Sequence, residues 1–359
     1  MTTQTIRFEV RSVDTDERWQ GGGKQRVRSG STLAFGMAAI LAGAAPAWAG
    51  VTERVSVGSG GVQAEGGLSS IPSLSANGRF VVFLSRATNL VAGDTNGAGR
   101  DVYVRDRRIG TTSRVDVVQE EGGSGSFTGV GSISADGRYI VFQSAAANLV
   151  PGDTNNATDV FVHDRRRDAT TRVSIGPGGA QADSSSQIPT ISADGRYVAF
   201  RSVATNLVPG DTNDQEDVFV HDRRTGTTTR VSVGAGGVQA EGGRSMPEAI
   251  SADGRYVVFR SEAANLVPGD TNGATDIFVR DLVGRRTERV SVGSGGVQVQ
   301  GFVDAGASIS GDGRYVAFSS QAPNLVPGDT NDQADVFVHD RRTRTTTRVN
   351  LGPGGVQAE

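Results

Sequence analysis

Cysteine is absent from this 359-residue chain, which excludes disulfides, thiolate metal sites and cysteine nucleophiles. Lysine is nearly absent as well: Lys24 is the only one, and every later cation is arginine. With a net charge of -3 and no basic tract, nothing points to nucleic acid as a partner. Both tryptophans, Trp19 and Trp48, lie near the N-terminus, so the rest of the chain lacks the indole platforms on which sugars stack. Most other aromatics sit in apolar strand-like runs, with Phe127 and Phe302 falling in loops. No segment sustains a helical period. There is no G-x-S-x-G elbow and no H-E-x-x-H helix.

The first 49 residues stand apart. Arg26 and Arg28 precede the apolar run TLAFGMAAILAGAAPAWA, which ends in Ala47-Trp48-Ala49, the pattern of a secretory signal with an A-x-A cleavage site. The run is shorter than the roughly 20 residues a membrane span needs. Residues 1–49 are therefore read as an N-terminal extension and signal peptide. Residues 50–359 are read as an exported mature chain, periplasmic or extracellular, without a membrane span.

What is abundant is repetition. ISADGRYVAF, NLVPGDTN and DVFVHDR recur in variant form five times, and the turn glycines Gly78, Gly137, Gly195, Gly254 and Gly313 are 58 or 59 residues apart. A unit of that size cannot bury its apolar face alone and must stack on its neighbours. Within each unit the apolar period is two. In the second unit Ser132–Ser134, Arg138–Ser144, Asp159–Asp164 and Thr170–Ile175 read as strands A to D. Asp136-Gly137 forms the A–B hairpin turn and supplies the positive φ that a tight connection needs. The predicted fold is all-β, a β-propeller of four-stranded antiparallel blades in five repeats of about 59 residues. An incomplete six-bladed array is the alternative. TERVSV at 52–57 looks like a strand D ahead of the first strand A, although TTTRVNL at 345–351 already supplies strand D for the fifth unit.

SADGRYVAF at Ser192–Phe200 and DVFVHDRRTGTTTRVS at Asp217–Ser232 resemble the WD40-like repeat of TolB-type propellers. That resemblance spans about Val51 to Glu359 and implies a bladed scaffold of the kind found in assembly proteins and in the non-catalytic domains of peptidases. The units here are longer than that family's by two segments, NLVPGDTN between strands B and C and GPGGVQAE between D and A.

Strand parity places both added segments on one face. A–B and C–D turns share one side of an antiparallel blade, so the B–C and D–A connections share the other. Loops on a rigid scaffold carry recognition; the competing expectation is that they pack on one another and stiffen the array.

The B–C segments hold the most distinctive chemistry. They supply Asp94, Asn96 and Asp101; Asp153, Asn155 and Asp159; Asp211, Asn213 and Asp217; Asp270, Asn272 and Asp276; and Asp329, Asn331 and Asp335. Oxygen ligands at alternating positions of a glycine-led loop suit calcium, and the loop resembles the calcium loop of integrin-type FG-GAP blades, though shorter. The rival reading is that these side chains close Asx-turns on their own backbone. A second recurring pair, Arg138 with Asp164 and its four equivalents, is expected to form cross-strand ion pairs.

His163, His221 and His339 share one strand C position, replaced by Arg105 and Arg280 in the other units. A catalytic triad needs a single arrangement of unlike groups, so these histidines read as structural. The functional expectation is an exported, non-enzymatic scaffold that binds a protein or cell-envelope partner through its long loops, with calcium as a candidate ligand. A secreted glycosidase-like hydrolase with acids in the propeller channel is the alternative.

Overall fold

The computed structural model describes residues 52–94, 99–116 and 128–357. The predicted signal peptide lies outside them. The blades belong to one compact unit, Glu53–Glu359. Among the described residues no helix is long and apolar enough to cross a membrane.

Five four-stranded antiparallel sheets follow one another along the chain. Blade 1 holds β1 (Ser69–Leu74), β2 (Phe80–Ser85), β3 (Asp101–Asp106) and β4 (Thr111–Arg114); blade 2 holds β5 (Gly129–Ile133), β6 (Tyr139–Ser144), β7 (Asp159–Asp164) and β8 (Ala169–Arg172). Blade 3 is built from β9 (Ser186–Ile191), β10 (Tyr197–Ser202), β11 (Asp217–Asp222) and β12 (Thr227–Arg230), and blade 4 from β13 (Ser245–Ile250), β14 (Tyr256–Ser261), β15 (Asp276–Asp281) and β16 (Arg286–Arg289). Blade 5 comprises β17 (Ser308–Ile309), β18 (Tyr315–Ser320), β19 (Asp335–Asp340) and β20 (Thr345–Arg348). This is the propeller blade architecture that the repeat predicts.

Blades 2 to 4 are apolar on both faces because a neighbour covers each side. Ile140, Phe142 and Phe161 pack with Val82 and Val104 of blade 1, while Val141, Val160 and Val162 of the same strands pack with Phe200 and Phe219 of blade 3. Within blade 2 the Phe142 and Phe161 rings stack at 5.7 Å between centroids; blades 3 to 5 repeat the phenylalanine pair, and blade 1 stacks Phe83 on Tyr103. Burying each such ring contributes about 1.5–3 kcal/mol.

Strand edges differ from the sequence pattern at the polar ends. Strand A of blade 2 starts earlier than Ser132, at Gly129, and most A strands carry a register shift against strand B. Bulges place residues on unexpected faces, so strict alternation underestimates these strands. Strand D stops at Arg172 rather than Ile175. TERVSV does not form the strand expected at 52–57: Val57 makes only an isolated bridge with Gln63.

The junctions between blades are built from one set of contacts. The amide of Ala76 donates to Ala135 O (3.1 Å), Ala135 to Ala193 O (2.9 Å), Ala193 to Ala252 O (3.1 Å) and Ala252 to Gly311 O (3.1 Å). Each turn glycine lies on the aromatic ring that opens strand B of the preceding blade: Gly137 on Phe80, Gly195 on Tyr139, Gly254 on Tyr197 and Gly313 on Tyr256. Blade 5 does not meet blade 1 in this way. Among the described residues no ring lies near Gly78, and Tyr315 is 40% exposed. Five blades thus follow one another in series, and among the described residues the contacts that join successive blades are not repeated between blade 5 and blade 1.

Candidate functional site

The long loops lie together on one face, as strand parity predicts, and hydrogen bonds brace them. The D–A loop after β12 turns through Gly236 and Gly237, both at positive φ, and the Gly234 amide closes it on Val238 O at 2.8 Å. Gln239 points inward, accepting from Arg230 Nη1 (2.9 Å) and donating to Thr212 Oγ1 in the B–C loop (3.0 Å). Across the junction, Asn265 of blade 4 donates to Gln239 O (3.0 Å) and accepts from the Glu241 amide (3.0 Å). Asn89, Asn206 and Asn324 make the same two bonds at other junctions. The loops thus stiffen the array, and their tips remain outward: Val62, Val238, Val297 and Val356 are 52 to 65% exposed.

The acids read as calcium ligands gather beneath these loops around an arginine. Arg172 from β8 sits 3.1 Å from Asp153 and 3.4 Å from Asp159. Arg230 holds Asp211 and Asp217 (2.9 and 3.3 Å), Arg289 holds Asp270 and Asp276 (2.8 and 3.2 Å), and Arg348 holds Asp329 and Asp335 (3.1 and 3.0 Å). Asn155, Asn213 and Asn272 turn their amide nitrogens to the strand C aspartate and to a D–A loop carbonyl, while Asn155 Oδ1 accepts from the Ala157 amide, the Asx-turn geometry. Asn331 Oδ1 accepts from the Gln333 amide. Asn96 lies outside the described residues.

Burial pushes the pKa of Asp153, Asp211, Asp270 and Asp329 upward even with the guanidinium beside them. Among the described residues no three His, Asp or Glu side chains are placed together to hold a metal ion. The donor set fits an internal guanidinium, whose fork matches two carboxylates. The arginines and glutamines that complete these clusters were not identified from the sequence. Their signal was present: one Arg in each strand D and one Gln in most D–A loops, at constant offsets.

Blade 1 departs from the pattern. Arg114 meets three acids, Asp94 (3.2 Å), Asp101 (2.7 Å) and Asp116 (3.1 Å), because Asp116 stands where later blades carry Ser174, Ser232 or Ser291. Tyr103 also donates to Asp94. One guanidinium cannot balance three buried carboxylates, and burial pushes Asp116 up to about 7.

The opposite face carries the predicted ion pairs. Arg138 meets Asp164 at 2.6 Å, Arg79 Asp106 at 2.7 Å, Arg196 Asp222 at 2.6 Å, Arg255 Asp281 at 2.7 Å and Arg314 Asp340 at 2.6 Å. The histidines behave as structural groups. Thr228 donates its hydroxyl to Ile175 O, leaving its oxygen to accept from His221 Nδ1 at 3.0 Å, and Arg280 plays the same donor part toward Thr287. That shared role explains why Arg and His exchange at this position.

One acid breaks the repeat in the A strands. Glu248 of β13 is held by Arg260 (3.0 Å) and by the Gly306 amide (2.8 Å), and burial pushes its pKa up. It ties blade 4 to blade 5. On the outer rim, a groove of about 720 Å³ between the same blades contains Glu288 and His339, but Arg341 engages the former and Thr346 the latter.

The sheets and their junctions define a bladed, propeller-type protein. No family model matches the chain, and no curated protein matches it. Similar solved structures include TolB from Acinetobacter baumannii (14% identity, TM-score 0.44, covering 80% of this chain and 55% of that one) and a putative TolB from Agrobacterium tumefaciens (15%, 0.45, 79% and 80%). A structure from an analysis of two prolyl endopeptidases is also similar (13% identity, TM-score 0.49, 79% of this chain and 36% of that one). The chain thus spans 55% of the length of the Acinetobacter protein.

Proposed function

We propose that the mature chain is an exported, non-catalytic blade array that binds a protein or cell-envelope partner through its long-loop face. The supporting observation is the row of valines at the loop tips. Val62, Val238, Val297 and Val356 are exposed at repeat-related positions, and each tip is backed by a Gln bonded into the blade beneath, or, at Val62, by Asn89. Apolar side chains presented on prebraced loops bind without the entropic cost of ordering the loop. The repeat acids support this reading in another way, because in the described blades they are spent on arginine and are not available to a substrate.

The test is a pull-down from envelope and extracellular fractions with purified mature protein and with Val238→Asp/Val297→Asp. A retained protein that the double variant loses supports the reading. Equal capture by both, or capture of nothing, removes it. A hydrolase reading would be revived by turnover on glycan or peptide substrates that Glu248→Gln abolishes.

A further inference from the structure

The groove on the outer rim between blades 4 and 5 holds cations that the fold does not use. Five arginines line it, and two are committed: Arg289 to Asp270 and Asp276, and Arg341 to Glu288. Arg285, Arg286 and Arg344 are exposed and meet no acid within ion-pair distance among the described residues. Glu288 is the one acid in the lining, and Arg341 already neutralises it. The groove therefore carries three uncompensated positive charges.

Two of these arginines stand where the backbone disfavours them. The C–D turn of every blade puts one residue in the left-handed region: Gly110, Asp168 and Gly226 in blades 1 to 3, at φ +68°, +50° and +71°, then Arg285 and Arg344 in blades 4 and 5, at +51° and +57°. Glycine and aspartate enter that region readily, whereas a long side chain there is strained, and such strain gathers at functional positions. Arginine thus replaces an easier residue in the two turns that border one groove.

The main chain adds a donor. The Val290 amide bonds back to Ile277 O at 2.8 Å, so antiparallel alternation turns the Thr287 amide away from β15, on the side of the groove that Thr287 lines. In blades 1 and 5 the equivalent amides of Thr112 and Thr346 donate to the hydroxyls of Ser59 and Ser294, at 3.2 and 3.1 Å. Blade 4 has Ala235 at that place, which offers no acceptor.

We propose that this groove binds a small ligand with closely spaced anionic oxygens, as a phosphate ester or a polycarboxylate presents. The planar forks of Arg285, Arg286 and Arg344 match either group, and one oxygen takes the Thr287 amide as a serine hydroxyl does in blades 1 and 5. Val267, Pro268 and Val292 receive the carbon part. A volume of about 720 Å³ lies within the roughly 300–1,000 Å³ of small-molecule sites. The site is independent of the loop-face reading, since it uses the arginines of the C–D turns and not the valines of the loop tips.

The test is isothermal titration calorimetry on the full chain at low ionic strength, with pyrophosphate and with citrate as probes. Saturable binding at one site per chain is expected, and which probe binds more tightly assigns the phosphate or the carboxylate source. Arg285→Gly/Arg344→Gly removes two cations while relieving both left-handed turns, so the fold is kept and binding weakens about tenfold or more. Ala235→Ser restores the hydroxyl that closes the Thr287 amide and is expected to weaken binding severalfold at unchanged charge. Arg224→Ala/Arg342→Ala removes the same charge outside the groove and should leave binding unaltered. No saturable heat with either probe, full binding by the double glycine variant, or an equal loss in Arg224→Ala/Arg342→Ala overturns the proposal.

Discussion

Gly195 lies against the ring of Tyr139: a Cβ added to Gly195 would stand 2.1 Å from Tyr139 Cδ2, and its φ is +75°. The contact makes glycine necessary for two separate reasons, and Gly78, at φ +67°, shares only the second, since its nearest neighbour is the tip of Arg107 at 3.6 Å.

Gly195→Ala is therefore expected to cost about 2–4 kcal/mol, left-handed strain and overpacking together, while Gly78→Ala costs about 1–2 kcal/mol from strain alone. Urea denaturation of both variants measures the difference. Equal losses would mean that Gly78 is also covered by a ring, and hence that the last junction closes.

Arg172→Ala should leave Asp153 and Asp159 buried without their cation, at a cost of about 3–5 kcal/mol. Wild-type melting temperature is expected not to change between millimolar calcium and a chelator, because the guanidinium already occupies the carboxylates. A rise of several degrees with calcium that the chelator reverses would show that the ion displaces the arginine.

Asp116 carries the opposite sign from the ion-paired acids of the short-turn face, such as Asp164 and Asp222. Its pKa is about 7 in the fold, above the ordinary 3.8, so the folded state binds the extra proton. Its contribution is fully present below pH 4 and is lost as pH rises through 7. Asp116→Ser, the residue that blades 2 to 4 carry, is expected to raise the melting temperature at pH 8 and to change it least at pH 4. Thermal scans across that range read the result.

His221 titrates the other way. Burial lowers its pKa to about 4 from 6.5, so the unfolded chain takes the proton first and stability falls as pH drops from about 6.5 toward 4. His221→Gln keeps a donor for Thr228 and should flatten that fall while leaving stability at pH 8 within about 1 kcal/mol. The paired acids add a later loss: Asp164 and Asp222, held near 2 by Arg138 and Arg196, lose their stabilisation as pH falls below about 4.

Much of this was legible in the chain. The 58- or 59-residue spacing, the two-residue period and the Asp-Gly turns were local signals, and they located strands B and C almost to the residue. The Arg138–Asp164 pair followed from the same register. The loop clusters were legible as turn-builders, but their arginine partners were not, because an aspartate that grips a cation and one that grips an arginine look alike in sequence. Which it is depends on what strand D and the next loop supply, as Arg172 does for Asp153 and Gln181 does in turn for Arg172.

The sequence by itself determined the unit: its four strands, its turn glycines and the shared face of its long loops, because each depends on residues close together in one repeat. Only the tertiary structure decided how the units end. Closure depends on whether Tyr315 meets Gly78 across 237 residues, and that contact rests on the summed angle of every blade between them, a quantity no single repeat encodes.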